Sequence, residues 1–233
     1  MRGYRVWAEV NLNAIRANID TFRRRVSQDV QLMAVVKADA YGHGAVPVAH
    51  HAVQNGCTFL GAGDSSEALL LREGGITADI LILGAIIEDE IPDVVDNDIC
   101  VSIHSRDLLS VLNRTARKKN KKLRVHLKID TGMCRLGISP RNALTLAREI
   151  MNYENLVLEG IFSHLACANS GNYEYSKKQL ETFRFVLSEL NRAGIQIPII
   201  HFANSAGSLL LKEAHFDMVR CGIGFYGIDP GIF

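Results

Sequence analysis

The chain has no excess charge of either sign. Across 233 residues, 26 Lys and Arg face 25 Asp and Glu, leaving a formal net charge of +1. That balance gives no electrostatic footprint for nucleic acid or an anionic membrane. The one basic cluster, Arg117-Lys-Lys-Asn-Lys-Lys122, has no interleaved aromatics and reads as a solvated helix end. No uninterrupted apolar run reaches the ~20 residues of a membrane-spanning helix. The N-terminus is polar and carries no signal-peptide apolar segment. Cysteine is sparse and scattered at Cys57, Cys100, Cys134, Cys167 and Cys221, with no Cys-x-x-Cys spacing. That argues against a disulfide framework or a zinc site, and for reduced thiols in a cytoplasmic protein. No Gly-x-Gly-x-x-Gly follows the first strand, and no low-complexity linker divides the chain.

What is present is one substantial core, with 48% of residues hydrophobic, and a regular alternation. Trp7 to Val10 reads as a short strand. Asn11 or Asn13 then caps a helix carrying Ile15, Ile19, Phe22 and Val26 at helical spacing. Eight further apolar runs follow, at 31–37, 58–61, 80–83, 99–103, 123–129, 157–162, 197–202 and 218–221. Between them lie helical segments at 45–54, 65–73, a weaker acidic one near 89–95, 105–118, 140–151, 173–193 and 206–212. Such alternation means parallel strands joined by right-handed crossovers. Eight units in this length predict a TIM (β/α)8 barrel, with a doubly wound open sheet as the alternative.

The stretch Val35-Val-Lys-Ala-Asp-Ala-Tyr-Gly-His-Gly44 carries the sharpest chemistry. A buried strand ends at Lys37, where partial desolvation favours the neutral, nucleophilic amine. For a lone lysine, snorkelling at a strand end would be the better reading. Here Tyr41 and two glycines follow within one turn. They supply a hydroxyl and closely approachable backbone, as a phosphorylated cofactor needs.

In a TIM barrel the site lies at the carboxyl ends of the strands. The polar residues just past the apolar runs are Lys37, Tyr41, Lys128, Asp130, Arg135, His164, Asn204, Ser205 and Arg220. Period two puts His126, Lys128 and Asp130 on one strand face, and packing of the apolar set under the helices turns them inward. An ion pair with Asp130 is a purely structural answer to an inward Lys128. His164 alone is more often a satisfied core histidine. Ser205 reads as a helix N-cap beside a phosphate site, and Arg220 pairing with Asp217 or Glu213 is its plain structural alternative.

These residues resemble the alanine racemase family. The resemblance runs through the Lys37 stretch, Asp130-Thr-Gly-Met-Cys-Arg-Leu-Gly137, Phe162-Ser-His-Leu165, Ala203-Asn-Ser-Ala206 and Val219-Arg-Cys-Gly-Ile-Gly-Phe-Tyr-Gly227, in family order. It implies a pyridoxal 5'-phosphate enzyme interconverting L- and D-alanine for cell-wall peptidoglycan, with Lys37 as Schiff-base lysine and base on one face of Cα. Lys37, Tyr41, His164, Asn204, Ser205, Arg220, Gly222 and Ile223 would hold the cofactor, and Arg220 would face its ring nitrogen. Arg135 and His164 would join Lys37 in catalysis, with Lys128 a carbamylated lysine orienting Arg135; no metal is implied.

The family is a homodimer whose opposite-face base, a tyrosine, comes from a C-terminal β domain. Residues 1–12 would then be a strand packing with that domain, 13–228 the barrel, and 229–233 the start of the linker to a domain missing from this chain. The rivals are a single-barrel pyridoxal-phosphate carrier without catalysis and a serine or broad-specificity racemase.

Overall fold

Eight short strands pair edge to edge in chain order, and the eighth returns to the first: β1 Gln31–Val35, β2 Phe59–Ala62, β3 Asp79–Ile82, β4 Cys100–Ile103, β5 Leu123–Lys128, β6 Leu156–Phe162, β7 Ile199–His201 and β8 Met218–Cys221. Every pairing is parallel, and closure sets Met33 of β1 opposite Arg220 of β8. This is the closed barrel that the alternation predicts. The computed structural model describes residues 5–168 and 173–230. Among them, no helix is long and apolar enough to cross a membrane.

Strand alternation divides the core in two. Val125, Leu127 and Ile129 join the large outer cluster between strands and helices. Met33, Val35, Phe59, Leu81, Cys100, Ile199 and Met218 form a smaller cluster inside the barrel. His126 and Lys128, on the other face of β5, are buried with only 0% and 6% exposure. Each fully buried Ile or Leu of the outer layer contributes roughly 1.5–3 kcal/mol, so this shell holds the barrel and leaves its interior free to be polar.

The helices start and stop where the side chains allow. The first, Leu12–Arg25, takes Asn11 as its cap, whose side chain accepts the N–H groups of Asn13 and Ala14. Asp64 caps Ser65–Glu73 by accepting the Glu67 N–H at 3.0 Å. The acidic segment is a 3-10 turn, Glu88–Glu90, followed by the helix Ile91–Asp96, which Pro92 opens. The long helix runs Glu174–Arg192. Trp7 to Val10 is not a strand: it has no ladder partner among the described residues, and Trp7 is 68% exposed. Residues 1–4 of the 1–12 segment, and 231–233 of the 229–233 segment, lie outside the described residues.

Candidate active site

One cavity of about 490 Å³ is lined by ten of the residues singled out from the sequence, Lys37, Tyr41, Lys128, Arg135, His164, Asn204, Ser205, Arg220, Gly222 and Ile223, but not by Asp130. They come from five different strand ends, and the barrel rim brings them together.

Lys37 leaves β1 into an unusual turn. Ala38, Asp39, Ala40 and Tyr41 all have left-handed backbone, with φ between 51° and 54°. For L-residues that conformation costs roughly 1–2 kcal/mol each, so something outside the turn must hold it. Asp39 Oδ1 accepts the Ala45 N–H at 2.6 Å, and Glu67 Oε1 accepts the Ala38 N–H at 2.6 Å. The His43 ring lies 4.8 Å from that of Tyr226. The turn carries the Tyr41 ring back over the barrel mouth, where a Cβ on Gly222 would stand 2.6 Å from its hydroxyl. Burial raises the Tyr41 pKa, so this hydroxyl stays protonated.

Another part of the cavity wall gathers backbone N–H groups around Ser205. Ser205 Oγ accepts the N–H of Gly222 at 3.0 Å and of Gly224 at 3.3 Å. Asn204, not Ser205, is the cap of the helix Ser205–Leu210: its side-chain carbonyl accepts the Gly207 N–H at 3.0 Å. Either residue type suits a cap, and the glycines beside β8 draw Ser205 away from that duty. Ile223 opens the 3-10 turn Ile223–Tyr226, so its N–H has no partner within that turn.

Arg220 is 3% exposed and pairs with neither Asp217 nor Glu213. Its Nη1 donates to His201 Nδ1 at 3.0 Å, and its Nη2 to Ser163 O at 2.6 Å, Phe202 O at 3.1 Å and His164 Nδ1 at 3.2 Å. Burial pushes its pKa down to about 9. An arginine only donates, which fixes the tautomers around it. His201 must accept at Nδ1 and carry its proton on Nε2, which points at His126 Nδ1, 2.8 Å away. His126 in turn carries its proton on Nε2, 3.1 Å from Glu159 Oε2. Burial first, and the Arg220 charge second, hold His201 and His164 well below the usual histidine pKa. A one-way chain of donors thus runs from Arg220 through the barrel interior to Glu159, which also meets Arg124 at 3.2 Å.

Glu159 reaches inward because β6 is bulged there: Val125 pairs Leu158, but His126 pairs Gly160. A Cβ on Gly160 would stand 2.2 Å from His126 Nδ1, so glycine makes room for the ring.

Lys128 points into the cavity with its ammonium 5.1 Å from the Phe162 ring centre. Burial first, then the Arg220 and Arg135 charges, lower its pKa to about 8. Asp130 does not form the expected ion pair with it. The Asp130 carboxylate accepts the N–H groups of Gly132 and Cys134, at 2.9 and 3.0 Å, closing its own loop. Arg135 stands exposed on that loop, at the cavity wall. Sequence reasoning missed His201, Glu159 and Glu67. The Glu159-Gly160 pair inside an apolar strand was a usable bulge signal; His201 and Glu67 had none.

Fold and site together define a TIM-barrel protein with a cation-rich cavity at the carboxyl-terminal rim. The profile of the alanine racemase N-terminal domain matches residues 10–230, and the chain belongs to that family. It is 45% identical to an alanine racemase of Symbiobacterium thermophilum over 96% of this chain and 59% of that protein. For an alanine racemase of Treponema denticola the figures are 43%, 96% and 60%. Among solved structures, alanine racemase of Clostridium difficile 630 in complex with cycloserine superposes with a TM-score of 0.95 at 35% identity, covering 98% of this chain and 64% of that one. Alanine racemase of Bacillus anthracis with bound L-Ala-P gives 0.93 at 34%, covering 100% and 60%. The chain therefore spans 59–64% of the length of these relatives.

Proposed function

We propose that this chain is the pyridoxal-phosphate-binding barrel of an alanine racemase. The observation that carries the reading is the convergence of these ten residues on one cavity whose wall includes the Lys37 amine and the Ser205, Gly222 and Ile223 segment. The donor set fits the cofactor. Gly222 leaves open the space under the Tyr41 hydroxyl that a Cβ would fill, and Tyr41, Asn204, Ser205, Gly222 and Ile223 would hold a phosphate there. Lys37 would hold the aldehyde carbon, His164 would lie against the ring, and Arg220 would donate to the ring nitrogen.

When bound, pyridoxal phosphate withdraws electrons from Cα of an amino acid and acidifies its proton. Lys37 would take or return that proton on one face. Arg220, charged and unable to accept, would keep the ring nitrogen unprotonated and so weaken the electron sink. That would favour proton return at Cα over transamination. Lys128, with its pKa lowered to about 8, reaches the neutral amine that carbamylation needs more readily than an ordinary lysine, and the anionic product would orient Arg135.

The test is borohydride reduction of the cofactor-loaded chain, followed by peptide mapping. Cofactor fixed on Lys37 supports the reading, and Lys37→Ala should abolish both fixation and racemisation. Fixation on another lysine, or nowhere, sinks it.

A further inference from the structure

The four left-handed residues after Lys37 make the direction of its side chain a matter of what holds the turn. Val36 and Lys37 belong to the first βα unit. The clasp comes from the second. Glu67 stands in the first turn of the helix after β2. Its Oε1 accepts the Ala38 N–H at 2.6 Å and its Oε2 accepts the Gly63 N–H at 2.7 Å. We infer that Glu67 is a positioning residue for Lys37: its carboxylate buckles the left-handed turn to the β2 loop and so aims the Lys37 amine. This rests on the reading of Lys37 as the cofactor-holding lysine.

Three features separate this from ordinary helix capping. A glutamate at the third helical position usually reaches back to the N–H of the cap residue. Glu67 bypasses Asp64 and spends one oxygen on Gly63 and the other on a residue 29 positions away in sequence. The two N–H groups converge on one side chain, and only a carboxylate offers both of them an acceptor oxygen. Gly63 lies close to both groups: a Cβ there would crowd Glu67 Oε2 at 3.1 Å and meet Lys37 Cβ at 3.4 Å. The buckle therefore sits at the root of the Lys37 side chain. Asp39 fastens the other end of the turn, to Ala45.

The test uses Glu67→Gln and Glu67→Ala in the 233-residue chain. An amide keeps one acceptor and turns its NH2 toward the other N–H. In the covalent step the Lys37 amine bonds to the aldehyde carbon of pyridoxal phosphate, the aldehyde oxygen leaves as water, and borohydride adds hydride across the carbon–nitrogen double bond. Pyridoxamine phosphate has no aldehyde and cannot condense, so its affinity reports the phosphate and ring contacts alone. Misaiming the amine should slow fixation at Lys37 by about tenfold or more in both variants, while pyridoxamine phosphate affinity stays within about twofold. A merely structural role would lower both together, or neither.

Unchanged fixation in both variants overturns the inference. No fixation on Lys37 in the unsubstituted chain overturns the functional reading and this inference with it. Should the variants fail to fold, the unsubstituted chain still decides. Charge-assisted bonds this short place the Ala38 and Gly63 amide protons downfield and slow their exchange, and fast, unshifted amides there rule the buckle out.

Discussion

The Tyr226 hydroxyl donates to the Val35 carbonyl at 2.8 Å, two residues before Lys37. Its ring lies 4.9 Å from that of Tyr41, and burial raises its pKa. A phenol whose proton is committed to the backbone, and whose ionisation is disfavoured, is a bolt on the strand end rather than a base. Tyr226→Phe should therefore cost about 1 kcal/mol of stability and lower the melting temperature by a few degrees. Proton exchange at substrate Cα should change by no more than about twofold. A loss approaching the ~10²-fold of a missing general base would make Tyr226 catalytic after all.

The barrel was legible because parallel strands buried on both faces read as apolar runs, and because caps such as Asp64 mark helix starts. The inward turn of His126 and Lys128 was legible from alternation alone. The left-handed turn was not. Nothing local in Ala38-Asp-Ala-Tyr41 favours that conformation. It is held by Glu67 and Ala45, and no local window contains the Glu67 bond. The capping duty of Asn204 over Ser205 was a one-residue ambiguity between two good caps, decided by Gly222 and Gly224. Trp7 to Val10 has strand composition, but a strand exists only where a ladder partner is present.

Arg220 sits in a shell of acceptors, and reversing its charge reverses the logic of that shell. A carboxylate at this position needs a donor, so His201 would have to move its proton from Nε2 to Nδ1, and its bond toward His126 would lose its donor. Arg220→Glu would also let the cofactor ring nitrogen take a proton. With cofactor and alanine, absorption at longer wavelengths should build up, and the share of transamination should rise. An unchanged spectrum together with an unchanged partition would count against the role given to Arg220.

Lys128 makes stability depend on pH. Its pKa falls from 10.5 to about 8 on folding, so between those values the unfolded chain binds the proton that the folded chain has lost. Stability contributed by this group therefore rises with pH across that window, by roughly 3 kcal/mol at most. Arg220, lowered to about 9, acts in the same direction, while the raised Cys57, Cys100 and Tyr226 oppose it. The difference from Lys128→Met isolates the lysine: in urea melts, the substitution should stabilise below pH 8 and lose that advantage above 10.5. The neutral form of this amine, more accessible than in an ordinary lysine, can bond to the carbon of CO2, releasing a proton and leaving a carbamate. Labelled bicarbonate should give a carbamate carbon signal that Lys128→Met lacks.

Inverting Cα needs a proton taken from one face and another delivered to the opposite face. In the proposed reading Lys37 serves one face. Of the aromatic side chains at or beside the cavity, Tyr41 lies against Gly222 with its pKa raised. His164 accepts from Arg220 and is held neutral. Tyr226 is bolted to Val35. The relatives carry a substantial length of chain that this one does not span. The expected outcome is therefore a split between exchange and inversion. Loaded with pyridoxal phosphate in heavy water, the 233-residue chain should replace the α-proton of one alanine enantiomer with retention. Inversion should lag by the ~10²–10⁴-fold that a positioned acid–base group supplies. Proton NMR follows the exchange and chiral chromatography the inversion, with serine run in parallel to test selectivity. Lys37→Ala should stop both. Equal rates of exchange and inversion would mean that the barrel supplies both faces itself, and would move the search for the second base to the groups around this cavity.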